Sequence, residues 1–460
     1  MHAAWYATTL LASLLFLLML PPLQSNDETG HWGRVWSVAF GGGLVCRTVP
    51  AVGAQLPDAV DYNRIRNGTN PYHFASLDAA RAIKGSTDRR RAWGACFYSP
   101  VAYVLPALAM RLVSTPTDPS QRAGLVSAFY AARVVNWTLM GAAVLAFLLL
   151  APELRNLTLV LYSLPMVTQQ TISINQDSTI FLFMFALLAV ALRPPGVAQL
   201  VALAAAVAGL TLLKVVYFPL VLVLVGAWLR LRREGRPLPR AAWWALGALA
   251  LAPLIAEAAW ARWNAGGQTA LPPGIDPRAQ LAYVRSHPFA FLGSLGHQVL
   301  DFFGRGTMNG GWPGIFGVLG WASWEIGGRA FRALGGAVVV ALVADAVQPP
   351  REGTRLRLWG DAILPLVGAV GVVVATATAM YFVFSGPGAP FIAGVQGRYL
   401  HVPLFVMLAV AVRWAQAWGA RHRTVELVRR GAPLMSWLAF GLCAIGIVDG
   451  FATLARVYYF

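Results

Sequence analysis

The chain has 460 residues, 57% of them hydrophobic and 12% charged, with a mean hydropathy of +0.59. So much apolar surface outruns what one soluble core can bury, which excludes a water-soluble globule and points to a polytopic membrane protein. The net charge of +17 falls mostly in short gaps between apolar runs, where topology signals lie, and no basic stripe interleaved with aromatics accompanies it; nucleic acid is set aside as a partner.

Residues 4–23 are apolar over the width of a bilayer and end at Pro21-Pro22. A signal peptide and an uncleaved first helix both fit; the absence of a small-x-small cleavage site in Pro-Pro-Leu-Gln-Ser favours the helix. Directly after it comes Asn26-Asp27-Glu28-Thr29-Gly30-His31-Trp32-Gly33-Arg34. One charge or a turn is enough to stop a helix. Paired acids beside an imidazole and a guanidinium can also bind a metal, take a proton or position an acceptor, so a site competes here with a solvated helix end.

Residues 25–121 form a long first loop. It holds Cys46 and Cys96, which in an oxidising compartment read either as a disulfide or as two buried thiols. Within it, residues 99–114 are hydrophobic but short, and they carry Pro100, Pro106 and Arg111. Topology decides their place. Apolar runs follow at 123–149, 157–174, 178–193, 197–213, 215–231, 242–260, 330–347, 361–384, 400–418 and 433–455. If 99–114 lies on the membrane surface, three short loops face the cytoplasm with Arg230, Arg232, Arg233, Arg236 and Arg240, then Arg351, Arg355 and Arg357, then Arg413, Arg421, Arg423, Arg429 and Arg430. Counting it as a span puts all of them outside, against the positive-inside rule. The sequence therefore predicts about 11 transmembrane helices in a single domain, 1–460, with the N-terminus inside.

That parity puts four polar clusters on the face of Asp27 and Glu28. Ser173-Ile174-Asn175-Gln176-Asp177-Ser178 lies between two spans, and Asp177 reads as a helix cap or a ligand. Lys214, one of only two lysines, either snorkels to the interface or meets a phosphate there. The second long loop, 261–328, carries apolar residues at helical spacing between 278 and 303, as amphipathic helices lying on the membrane do. Gln396-Gly397-Arg398-Tyr399 opens a late span, and its arginine is either a neutral interfacial residue or the partner of an anion.

Six motifs occur in order: Asn26-Asp27-Glu28-x-x-His31, Tyr98-Ser99-Pro100-x-x-Tyr103, Arg133-x-x-Asn136, Leu164-Pro165-Met166 leading to Ser173-x-x-x-Asp177, Lys214-x-x-Tyr217-x-Pro219, and Gln396-Gly397-Arg398-Tyr399-x-x-Pro403. Over about 25–405 this series resembles an uncharacterised family of bacterial predicted membrane proteins grouped with the GT-C glycosyltransferases. The layout is similar to that of the lipid A aminoarabinose transferases and protein mannosyltransferases. One position departs: many members carry a tyrosine or similar residue before the later aspartate, where this chain has Asn175-Gln176-Asp177.

The resemblance implies an all-α, GT-C-like bundle with two long periplasmic loops bearing juxtamembrane helices, in the bacterial inner membrane. It implies a glycosyltransferase that uses a polyprenyl-phosphate-sugar donor at the periplasmic face, with a glycan or lipid of the envelope as acceptor. Asp27 then serves as base or metal-bound acid with Glu28 beside it; Lys214 and Arg398 meet the donor phosphate; and His31, Arg34, Tyr98, Tyr103, Asp177, Gln396 and Tyr399 support substrate or acceptor. Asp27 and Glu28 also offer oxygen ligands for Mg²⁺ or Mn²⁺. A transporter or flippase of lipid-linked saccharides, using Glu257, Asp345, Asp361 and Asp449 within the helices, is a second reading, and a glycan ligase or polymerase a third.

Overall fold

In the computed structural model the first apolar run forms α1 (His2–Met19), which stops where Pro21 holds Leu20 out of the helical region, at φ −74° and ψ 112°. Residues 1–460 are described except 42–43, 68–70, 195, 237, 265–272, 304–311, 350–357 and 420–427. Arg351, Arg355, Arg357, Arg421 and Arg423 of the expected cytoplasmic loops fall outside the described residues.

The first loop opens with α2 (Glu28–Phe40) and contains a two-stranded antiparallel ladder, β1 (Thr48–Pro50) with β2 (Arg89–Arg91), in which Val49 faces Arg90. It closes with the short apolar helix α3 (Val104–Val113). The bundle follows: α4 (Leu125–Leu150), α5 (Arg155–Ser163), α6 (Pro165–Ile172), α7 (Asp177–Ala191), α8 (Val197–Leu213), α9 (Val221–Arg233) and α10 (Arg240–Asn264). The second loop carries α11 (Pro277–Ser286) and α12 (Pro288–Phe303), and the chain ends with α13 (Gly328–Ala346), α14 (Leu364–Phe384), α15 (His401–Gly419) and α16 (Ala432–Tyr458).

Seven described helices are long and apolar enough to cross a membrane, or up to eight if the bent pair α6 and α7 counts as one span. The expected count of about 11 is larger, and the runs that make up the difference have local peculiarities. Residues 157–174 are no single span: Pro165 breaks them into α5 and α6, and both pieces are buried inside the bundle. α8 is 17 residues long, and α13 carries Arg329, Arg332 and Asp345.

The sharpest feature is the 113° bend between α6 and α7. It exposes backbone groups deep inside an apolar bundle, where each must find a protein partner. Side chains supply them. Asn136 Nδ2 donates to Ser173 O (2.6 Å), Ile174 N donates to Glu28 Oε1 (2.9 Å), Asn175 Nδ2 donates to Gln170 O (2.7 Å) and Asp177 N donates to Asn175 Oδ1 (2.8 Å).

At the opposite pole, near the start of α1, Asp345 accepts from Asn156 N (3.2 Å), Asn156 Nδ2 (2.7 Å) and Leu157 N (2.8 Å), capping α5. His2 and Asn156 share a contact of 3.2 Å, and Gln416 Nε2 donates to Asp345 O (2.9 Å). Arg230 on α9 pairs with Asp361 at 2.6 Å. The helices can close on that pair because Gly226 faces Gly360: a Cβ on Gly226 would stand 2.3 Å from Gly360 O. Asp449 accepts from Gly327 N at 2.6 Å. Three of the four acids that a transport path would use thus hold the bundle together; Glu257 keeps one oxygen buried and without a partner among the described residues.

The second loop is clasped to the interior. Gln169 Nε2 donates to Gly320 O (3.0 Å) while Gly320 N donates to Gln169 Oε1 (2.7 Å), and His401 Nε2 lies 2.8 Å from Ile315 O. α12 leaves Phe289, Leu292 and Leu300 exposed, as α3 leaves Leu105, Leu108 and Leu112, the pattern of apolar helix faces turned to lipid.

Candidate functional site

Asp27 and Glu28 are neighbours in sequence and point to different worlds. Glu28 is fully buried: Arg133 Nε donates to its Oε1 (2.9 Å) and Arg133 Nη2 to its Oε2 (2.7 Å), while Oε1 also accepts from Ile174 N. The remaining donors of Arg133 reach the carbonyls that α1 leaves free at its end, Leu20 O at 2.6 Å and Pro21 O at 3.1 Å. One turn along α4, Asn136 holds the 113° bend. This knot joins the end of α1, the start of α2, α4 and the bend, and so brings Asp27 and Asp177 to one place. Glu28, expected as a catalytic or metal-bound acid, has both oxygens engaged by the knot and acts as its centre.

Asp27 sits one residue outside the knot in the left-handed region, at φ 60° and ψ 5°, a conformation that Asp tolerates better than most residues. It occupies the N-cap position of α2 without a side-chain cap bond. Instead its carboxylate turns outward and accepts from Arg398 Nη2 at 2.7 Å, with the Asp27 side chain 56% exposed and that of Arg398 6%. Burial works to raise the carboxyl's pKa; Arg398, then His31 and Lys214, outweigh it and hold it below the ordinary carboxylate value.

Arg398 lies in a turn of tight helix, Gly397–Leu400, that opens α15. Its Nη1 donates to Gln170 Oε1 (3.1 Å), its Nη2 reaches Tyr399 Oη (3.3 Å), and its Nε has no partner among the described residues. Lys214, where α8 ends in extended backbone, pairs with Asp177 at 3.5 Å, both side chains 18% exposed. The Tyr399 ring stands between the two cations, 5.4 Å from Lys214 Nζ and 5.1 Å from the Arg398 guanidinium. Two acids and two bases from four distant segments thus form one balanced patch. Beside it, Gln170 Nε2, Gln176 Nε2, Gln396 Oε1 and Ser99 Oγ are buried without partners among the described residues.

Aromatic rings wall the patch. His31 stacks on Tyr98 (5.6 Å between centroids) and Tyr103 (5.8 Å), and its Nδ1 shares a 2.6 Å hydrogen bond with Tyr103 Oη. Burial lowers the imidazole pKa to about 4, so His31 is neutral at physiological pH. Burial also pushes the Tyr98 and Tyr103 hydroxyls upward, keeping both protonated.

Arg34 belongs to a neighbouring structural centre. It is fully buried, donates to Leu44 O (3.0 Å) and Cys46 Sγ (3.4 Å), and lies over the rings of Tyr103 and Trp260. Burial lowers its pKa to about 10, which leaves it charged. Cys46 and Cys96 form a disulfide with Cα atoms 5.9 Å apart. The C-terminal end of α10 is fastened to both halves: Cys46 N donates to Asn264 Oδ1 (3.0 Å) and Trp260 Nε1 donates to Cys96 O (3.2 Å).

Asp27, His31, Tyr98, Tyr103, Asp177, Lys214, Arg398 and Tyr399 come together, then, and Arg34 and Glu28 support them. Sequence reasoning passed over Gln170, which holds Arg398, and gave no role to Arg133 and Asn136. A signal existed in each case: Gln169-Gln170 interrupts an apolar run, and Arg133 sits within a membrane-length helix where an unpaired charge is costly. The Asp27 and Glu28 pair does not fit a shared divalent ion, because Arg133 takes Glu28; among the described residues no group of three or more His, Cys, Asp or Glu side chains could hold a metal ion.

No curated protein matches the chain. The family model described as "Predicted membrane protein (DUF2142)" matches residues 10–408, from within α1 to within α15, and so takes in every residue of the patch; the chain belongs to the DUF2142 family of predicted membrane proteins.

Proposed function

We propose that this protein is a GT-C-type glycosyltransferase that moves a sugar from a polyprenyl-phosphate-linked donor to a glycan or lipid acceptor at the periplasmic face of the bacterial inner membrane. One observation carries the reading: Lys214 and Arg398 flank Tyr399 beside the carboxylate of Asp27, at the end of the bundle where the long loops gather. Two cations at one end of an apolar bundle suit a lipid phosphate whose chain stays in the membrane. A carboxylate within reach of them suits the hydroxyl that must attack.

In this reaction the acceptor oxygen bonds to the anomeric carbon as that carbon's bond to the phosphate oxygen breaks. The electron pair leaves on polyprenyl phosphate, whose growing negative charge Lys214 and Arg398 stabilise, and the hydroxyl proton passes to Asp27. Tyr98, the partly exposed ring stacked on buried, neutral His31, offers a flat face for a sugar ring. The charge needed at the leaving group comes from the two side chains, so no step is assigned to Mg²⁺ or Mn²⁺. The helix acids Asp345, Asp361 and Asp449 are engaged in packing, which favours transfer over a transport path through the bundle.

The test is direct. Purified protein in lipid nanodiscs, given polyprenyl-phosphoryl sugars and envelope acceptors, should release polyprenyl phosphate, and Lys214→Ala or Arg398→Ala should weaken donor binding by about tenfold. Donor movement across vesicles without release of polyprenyl phosphate would replace this reading with a flippase.

A further inference from the structure

The patch of Asp27, Arg398, Asp177 and Lys214 is balanced: each cation is already paired with a carboxylate. An arriving phosphate is attracted by two positive charges and repelled by two negative ones, so binding requires that one pair open. The two pairs are not equivalent. Asp177 is 18% exposed and is tied into the bend through its own backbone N–H and the Asn175 side chain. Asp27 is 56% exposed, sits on a left-handed turn, and among the described residues its carboxylate has Arg398 as its hydrogen-bond partner. Arg398, by contrast, is held from behind by Gln170, and its Nε is unpartnered among the described residues. The guanidinium stays; the carboxylate can leave.

Resting on the reading of this patch as a phosphate site, we infer that the donor phosphate displaces Asp27 from Arg398, so that Asp27 becomes a competent base only once the donor is bound. The exchange moves one ion-pair partner and breaks no covalent bond: Arg398 passes from the carboxylate to a phosphodiester anion, and Asp27 is left facing the acceptor without its counter-ion. While paired, the carboxylate is a weak base, because Arg398 favours its charged form. Released beside His31, Tyr98 and Tyr103, it meets the acceptor hydroxyl with that restraint gone. Donor binding thereby precedes acceptor activation, and an acceptor arriving first finds Asp27 occupied.

The exchange makes an unusual demand: removing the proposed base should strengthen binding of the lipid phosphate. Polyprenyl phosphate, which carries no sugar to transfer, is titrated against the full chain in nanodiscs by native mass spectrometry. Asp27→Asn keeps the side chain's outline and should bind about fivefold tighter than the natural chain, within the range of a partly exposed ion pair. Asp177→Asn, which removes the same charge from the other pair, should gain less, and in an Arg398→Ala background the Asp27→Asn gain should vanish. On the unaltered protein, amidation of Asp27 by a water-soluble carbodiimide and glycinamide, read by peptide mass spectrometry, should rise as polyprenyl phosphate is added. Binding that is unchanged or weaker in Asp27→Asn, or labelling that falls on addition of the lipid, overturns the exchange while leaving the phosphate site standing. No binding of polyprenyl phosphate to any form overturns both.

Discussion

Glu28 and Arg133 lie 105 residues apart in sequence and meet with two parallel hydrogen bonds, both side chains fully buried. A buried ion pair is weak evidence of net stability, since both charges leave water, but its geometry is specific. Here it fixes where α2 begins relative to α4 and the bend, and with that the direction in which Asp27 points.

Breaking this pair on one side should be costly. Glu28→Gln or Arg133→Met is expected to destabilise the protein by about 3–5 kcal/mol, because one charge is left buried and unpaired. The double substitution should lose less than the sum of the two. Thermal unfolding in detergent measures all three; a Glu28→Gln protein of normal stability without activity would return Glu28 to the chemistry.

Asp27→Asn should leave that stability nearly intact, as the side chain is half exposed and its ion pair is partly screened. Transfer should nevertheless fall by roughly 10²-fold or more, the usual contribution of a positioned acid or base. Release of polyprenyl phosphate reports it. Near-normal turnover would reduce Asp27 to a helix end.

His31 gives a pH signature of its own. In the folded chain burial lowers its pKa to about 4, while the exposed imidazole of an unfolded chain takes up a proton near 6.5. Between those values the unfolded state holds the extra proton, so stability is greatest above pH 6.5 and declines as pH falls through the window, by about 3 kcal/mol at pH 4. His31→Gln should flatten the dependence of Tm on pH between 4 and 6.5. Asp27 does not confound this window: its carboxyl is held lower still, and its contribution is lost only under more acid conditions.

The topology is open to the same kind of check. A reporter fused after Arg236 should be cytoplasmic, and one inserted after Gly274 periplasmic. The opposite result would make α3 a true span and would divide the patch from the loop side on which it is proposed to work.

How much of this could be read from the letters depends on distance along the chain. α1, α4 and α16 announce themselves, because an apolar run of bilayer length has few other fates. Asp27, Lys214 and Arg398 stand out because each is a charge at the edge of such a run. The knot did not: nothing near Glu28 names Arg133, and nothing near Asn136 says that its amide will be used on Ser173. Nor could the run 157–174 be recognised as two buried pieces, since hydropathy does not separate a helix that faces lipid from one wrapped by its own bundle. Cys46 and Cys96 were visible as a candidate pair, but their use as the docking point for α10 rests on Asn264 and Trp260, which are polar and aromatic residues with no local pattern.

Asp27 and Arg398 are separated by 371 residues. A membrane protein is threaded into the bilayer from its N-terminus as it is made, so the acid emerges early and waits through the synthesis of nearly all the other legs before its partner arrives. Unfinished chains accordingly present half of the patch: a carboxylate without the guanidinium that pairs with it in the finished fold.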